Sequence, residues 1–123
     1  MRYLVVLLCL SLLAVSCKKH RLKKYLGDYS GIKTTDLWWL DSAGPAHNIQ
    51  SIAYTVHVKD VDDSKTNIAV DGKSIPVGKD GTYTAETGTT NYSVSFVDDS
   101  LVIVDGGGGL GFGNIKTFRG KKK

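Results

Sequence analysis

Few side chains in this sequence are spaced for chemistry, and each grouping can be judged by the geometry its chemistry needs. Gly106-x-Gly108-x-x-Gly111 follows an apolar run, with the spacing of a dinucleotide-binding turn. Such a turn must open a helix whose N-terminus receives the pyrophosphate. The residues after Gly111, FGNIKTFRGKKK, read instead as a strand. The glycines are therefore expected to form a mobile hairpin loop, where a backbone without side chains bends at little cost. Asp60, Asp62, Ser64 and Asp71 fall at calcium-loop offsets, but Lys65 stands where the sharp turn requires glycine. His20, His47 and His57 share no metal-like spacing and read as tether, loop and polar strand face. The carboxylates pair only as neighbours, Asp62–Asp63 and Asp98–Asp99. Strand alternation throws such neighbours to opposite sides, which suits turns and not acid–base work. With no nucleophile elbow either, the expectation is a non-enzymatic protein with no catalytic residue, no metal and no cofactor. Trp38 and Trp39 are adjacent, so on a strand one faces inward and the other presents a ring to a partner or a covering loop.

The remaining reactive group is Cys17. It follows a positive start at Arg2 and the thirteen-residue apolar run YLVVLLCLSLLAV. That run is short for a membrane span, which needs about 18–20 residues, and fits the apolar region of an export signal. Ala-Val-Ser before Cys17 satisfies an ordinary signal peptidase. Cleavage there would remove Cys9 and leave Cys17 as a lone exported thiol with no disulfide partner in the chain. Leu13 to Cys17 resembles a bacterial lipobox, in which the cysteine receives diacylglycerol and becomes the mature N-terminus. Both reactions cut at the same bond, and lipidation gives the unpaired thiol a use. The resemblance implies a membrane partner through the N-terminal lipid. With Lys18 following the cysteine, it implies an outer-membrane protein facing the periplasm.

Charge is unevenly distributed. Lys18, Lys19, Arg21, Lys23 and Lys24 crowd the start of the mature chain, and Arg119, Lys121, Lys122 and Lys123 its end. Between them six lysines face all twelve acidic residues. The body is thus acidic although the whole chain carries +4, which argues against nucleic acid as a partner. The basic ends are suited to anionic headgroups.

These ends flank a domain that must position whatever site exists. SIAYTVHVKD and TNYSVSFVDD alternate apolar and polar residues with period two, and Asp- and Gly-rich turns recur about every ten residues. The spacing predicts strands at 27–40, 50–60, 66–70, 73–77, 81–87, 90–97, 100–105 and 111–119. The fold class expected is all-β, a small up-and-down antiparallel barrel of about eight strands, with an open β-sandwich as the alternative. Residues 1–16 are assigned to the signal, 17–24 to a basic tether, 25–119 to the β domain and 120–123 to a basic tail. The inward set is expected to be free of charge. Within it, Tyr29, Trp39, Tyr54, Tyr83, Tyr92 and Phe96 are candidates to line a core or a ligand cavity.

KYLGDYSG, with Lys24, Gly27 and Tyr29, resembles the opening strand of lipocalin-like proteins, Tyr standing in place of Trp. In that family an Arg on the closing strand lies over the aromatic ring, a place Arg119 in TFRG matches. The chain is similar to small Gram-negative lipoproteins with such a barrel. The resemblance implies barrel closure through Tyr29 and Arg119, and a small apolar ligand or an envelope protein as partner; a structural or inhibitory interaction module is the other reading.

Replacing Cys17 by Ser is expected to move the protein from the membrane to the soluble fraction, with the acyl mass lost from its N-terminus. Retention in the membrane with an unchanged N-terminal mass would remove the lipid anchor.

Overall fold

A computed structural model describes residues 21–61 and 66–123, together with Tyr3 and Val5. The other residues of 1–20, Cys17 and His20 among them, and Asp62, Asp63, Ser64 and Lys65 lie outside the described residues. The chain forms β1 (Gly27–Asp41), β2 (Gly44–Asp60), β3 (Asn67–Val70), β4 (Lys73–Pro76), β5 (Thr82–Thr87), β6 (Thr90–Val97), β7 (Ser100–Gly109) and β8 (Phe112–Lys122). All eight belong to one antiparallel sheet ordered β4-β3-β2-β1-β8-β7-β6-β5. Sequence neighbours pair throughout, except that β4 and β5 end the sheet while the first strand joins the last. The result is a nearly closed up-and-down barrel, compatible with a lipocalin-like fold.

Turn chemistry sets the hairpins. Asp71 and Gly72 adopt φ of 51° and 85° between β3 and β4, and Asp98 takes φ of 54° between β6 and β7. Asp tolerates this left-handed region better than most residues and Gly occupies it freely, which matches tight hairpins to the strand twist.

One end of the barrel is packed solid. Tyr29, Val56, Val58, Ile68, Val70, Ile75, Val77, Val94, Phe96, Leu101 and Phe118 are buried there with Leu22 and Tyr25. The stretch before β1 makes a turn, with Tyr25 N–H donating to the Leu22 carbonyl at 3.0 Å. This drops both side chains into the barrel end, so the second half of the expected tether belongs to the fold. Phe96 lies 4.7 Å from the Tyr25 ring and meets Tyr29 edge-on at 5.7 Å. The Tyr29 hydroxyl donates to the Tyr25 carbonyl at 2.9 Å, giving a buried polar group its partner.

The β1–β8 seam closes through two facing glycines, Gly31 and Gly120. A Cβ on Gly31 would collide with the backbone of Arg119 and Gly120, and one on Gly120 with the Phe118 ring and the Ser30 carbonyl.

Three expectations are corrected. Gly106–Gly109 is not a loop: it continues β7 in register with β8, Gly108 opposite Gly113. The glycines make room, since a Cβ at Gly113 would strike the Trp38 indole and one at Gly108 would crowd the Phe112 carbonyl and Gly113. Gly120–Lys122 is strand and not tail, with Lys122 opposite Tyr29. His47 is on β2, opposite Trp38, and not in a loop.

Gly31→Ala is expected to cost about 1–3 kcal/mol, because the added methyl has only backbone to push against. Urea unfolding checks this. A midpoint equal to wild type at constant slope would show that β8 retreats without loss.

Candidate functional site

The strands that build the solid end run past it. β1 pairs with β2 up to Asp41 and with β8 up to Trp39, far beyond the level reached by β3 and β4. Where those short strands stop, the interior opens. Strand register decides which side chains face it. Counting by twos from buried Tyr29 leads to Lys33, Leu37 and Trp39 on β1. The same count leads to Tyr54 on β2, Phe112, Asn114, Lys116 and Phe118 on β8, and Leu101, Ile103 and Asp105 on β7.

The inner face is therefore charged at its mouth, which corrects the expectation of a charge-free interior. A cavity of about 230 Å³ is lined by Lys33, Tyr54, Asp71, Lys73, Tyr92, Asp105 and Lys116, over Val56, Val70, Ile103 and Phe118. Lys33 Nζ stands 4.6 Å from the Tyr54 ring centroid and Lys73 Nζ 3.7 Å from that of Tyr92. Cations over aromatic faces are stabilised by the ring quadrupole. The Tyr54 hydroxyl donates to Asp71 Oδ2 at 2.6 Å, and this bond to the carboxylate raises the Tyr54 pKa. Tyr83 meets Tyr92 edge-on at 6.3 Å. Burial, with Asp105, Asp71 and Tyr83 nearby, pushes the Tyr92 hydroxyl up to about 12. Among the described residues none of the three lysines is within ion-pair distance of a carboxylate.

Above the charged belt, and sharing Asp105 and Lys116 with it, lies a wider cleft of about 630 Å³. Leu37, Trp39 and Phe112 form its apolar shelf, Gly107 and Gly109 its floor. These side chains remain 41%, 41% and 64% exposed, although their register is that of the core. Asn114 also lines the cleft, and its Oδ1 is buried with no hydrogen-bond partner. A donor supplied from outside would satisfy it. The strand tips are held together by Leu40 N–H donating to the Gly111 carbonyl at 2.8 Å.

Of the residues singled out from sequence, Tyr29 and Phe96 fill the solid end, Tyr54, Tyr83 and Tyr92 sit at the mouth, and Trp39 is on the shelf. Tyr29 and Arg119 are not brought together as expected. Both lie along the β1–β8 seam, but Tyr29 points inward while Arg119 is exposed on the outer face, opposite Ile32 and Val102. Alternation separates them, and the Arg119 guanidinium does not cover the ring. Lys33, Lys73, Lys116, Asp71 and Asp105 were missed. The signal lay in the same alternation: Lys33 is two strand periods from Tyr29, and Asp105 from Leu101.

The outer face carries His57 Nδ1 at 2.7 Å from Asp28 Oδ1 and His47 Nδ1 at 3.1 Å from Asp36 Oδ1. The His57 hydrogen bond lowers the Asp28 pKa. Ser30 on this face is engaged by Thr55 at 3.2 Å, and neither histidine bonds a hydroxyl among the described residues. No cluster of three His, Cys, Asp or Glu occurs among them either. The chain matches no family model, no curated protein and no solved structure.

Tyr92 is expected to ionise near pH 12 in the folded protein, against about 10 when unfolded. The unfolded state then loses its proton first, so the contribution to stability is whole below pH 10 and disappears as pH rises toward 12. Tyrosinate absorbance during a pH titration, compared with Tyr92→Phe, checks the value. Asp105→Asn is expected to bring it down.

Proposed function

We propose that this is a non-enzymatic, lipid-anchored envelope protein whose barrel mouth binds a small amphiphile with an anionic head. The observation that carries the reading is the sequence of surfaces along one inner face: three lysines, two of them over aromatic rings, then an apolar shelf. A carboxylate or phosphate head would sit among Lys33, Lys73 and Lys116, and its apolar body would lie on Leu37, Trp39 and Phe112. Charge-assisted hydrogen bonds from lysine favour such a head. Asp71 and Asp105 leave the belt a surplus of one positive charge, enough to select against a cationic amphiphile. The expectation of a purely apolar ligand is thereby narrowed to one with an acidic end. An anchor at Cys17 and the basic residues near it would hold the domain at a membrane, a source of such molecules.

Titration of the full chain with dodecanoate is expected to change the indole fluorescence of Trp39, while dodecyltrimethylammonium leaves it unchanged. Lys116→Glu should weaken dodecanoate about tenfold, equivalent to about 1.4 kcal/mol. Equal response to both amphiphiles would reduce the site to non-specific apolar contact, and response to neither would remove it.

A further inference from the structure

Among the described residues, β2 has a neighbour on only one side for most of its length. β1 pairs with it from Gly44 to Val58, but β3 pairs only with Val58, Lys59 and Asp60. The main-chain direction of the open stretch follows from the flanking bonds. His57 carbonyl accepts from Asp71 N–H at 2.9 Å, on the side away from β1. Alternation then turns the N–H and C=O groups of Thr55, Ala53, Ser51, Ile49 and His47 the same way, outward from the sheet. Among the described residues no strand meets them. Such an edge is normally blunted by lysines, an inward charge, a bulge or a proline within it. Here GPAHNIQSIAYTVH contains no Lys, Arg, Asp or Glu, its one proline is at the tip, and its pairing with β1 is unbroken. Ile49 and Ile52 on the two faces of this edge are 63% and 57% exposed.

We propose that the β2 edge pairs antiparallel with the β2 edge of a second copy of this chain. The occupant is argued from three features. Two copies bring no like charges together along this stretch, although the acidic body as a whole would repel its twin. An antiparallel match centred near Ser51 sets Ile49 against Ala53 and His47 against Thr55, each contact made twice about a two-fold axis. In that register Val58, where β3 begins, falls opposite Gly44, where β2 of the other copy ends. The short strands of each copy therefore lie past the hairpin tip of the other and do not block the approach. Five residues from each chain supply a ladder of about ten hydrogen bonds. The contact is isologous and consumes the edge in both copies, so it stops at two. It also runs one sheet through both molecules, setting the two charged mouths on either side of the junction.

The test measures the mass of the full chain by light scattering in a mild non-ionic detergent, corrected for the micelle. Wild type is expected at twice the mass that the same chain shows by mass spectrometry under denaturing conditions. Ser51→Pro removes an N–H that points away from β1, and Ser51→Lys places two cations face to face on the axis. Each is expected to halve the mass while the circular dichroism stays that of wild type. Wild type remaining at one chain mass up to about 100 µM overturns the proposal. So does a dimer that persists in either folded variant. If Ser51→Pro fails to fold, Ser51→Lys decides alone, since its site is exposed and outside the core. A monomer whose β2 amides gain exchange protection only when an extended peptide or another protein is added assigns the edge to a foreign strand, and also overturns self-pairing.

Discussion

The constraint on which the structure rests is the approach of two backbones at Gly31 and Gly120. A barrel of this size needs its first and last strands to meet over a bulky interior, and Tyr29 and Phe118 supply that bulk on either side of the contact. With a Cβ at either glycine the strands would have to separate or the rings move. Because both residues are glycine, β8 lies against β1, Tyr29 is sealed to 1% exposure, and its hydroxyl donates to the Tyr25 carbonyl. The buried end, the turn carrying Leu22 and Tyr25, and the register of every residue further along the seam follow from that contact. The meeting of the chain ends follows too: Lys122 Nζ donates to the Lys24 carbonyl at 3.1 Å and Lys123 N–H to that of Asp28 at 2.9 Å.

Moving along the same face, the physical character changes because the wall becomes incomplete. Strands β3 and β4 cover only the solid end, so inner positions beyond Val56 and Ile103 meet solvent. Charges there are hydrated or stacked on rings and need no desolvated partner, which makes Lys33, Lys73, Asp105 and Lys116 tolerable in inward register. Leu37, Trp39 and Phe112 have the opposite problem, as apolar groups in core register with nothing opposite them. The site is the band where these two conditions meet.

Much of this architecture is written in the alternation of the sequence. Strands, turns and the pairing of first with last strand follow from period two and from Asp and Gly placement. Most of the buried residues, Val56, Ile68, Ile75, Val94 and Phe96 among them, are visible as the apolar half of their strands. What escaped had local composition arguing against it. Gly106–Gly109 has no side-chain signal of a strand, since its regularity is imposed by β8 and by the space Trp38 needs. The charged mouth is hidden because the inward positions there are not apolar, so hydrophobic alternation does not mark them. Once the wall ends, register and hydrophobicity part company, and only the register carries through to Lys33 and Asp105. The distance at which β3 and β4 stop covering β2 depends on strand length and curvature together, and no short stretch of residues encodes it.

The joining of β1 to β8 also governs when the molecule can come into being. A strand near the start of the domain has its partner at the very end, so the longest loop in the chain must close before the core is sealed. Topologies dominated by distant pairings fold late and slowly, after local hairpins have formed. A chain delivered N-terminus first can make the β1–β2 and β3–β4 hairpins on the way. It cannot bury Tyr29 until β8 has arrived. The final β strand thus acts as a completion signal: without β8 the sheet stays open at β1 and the aromatic core around Tyr29 loses its cover.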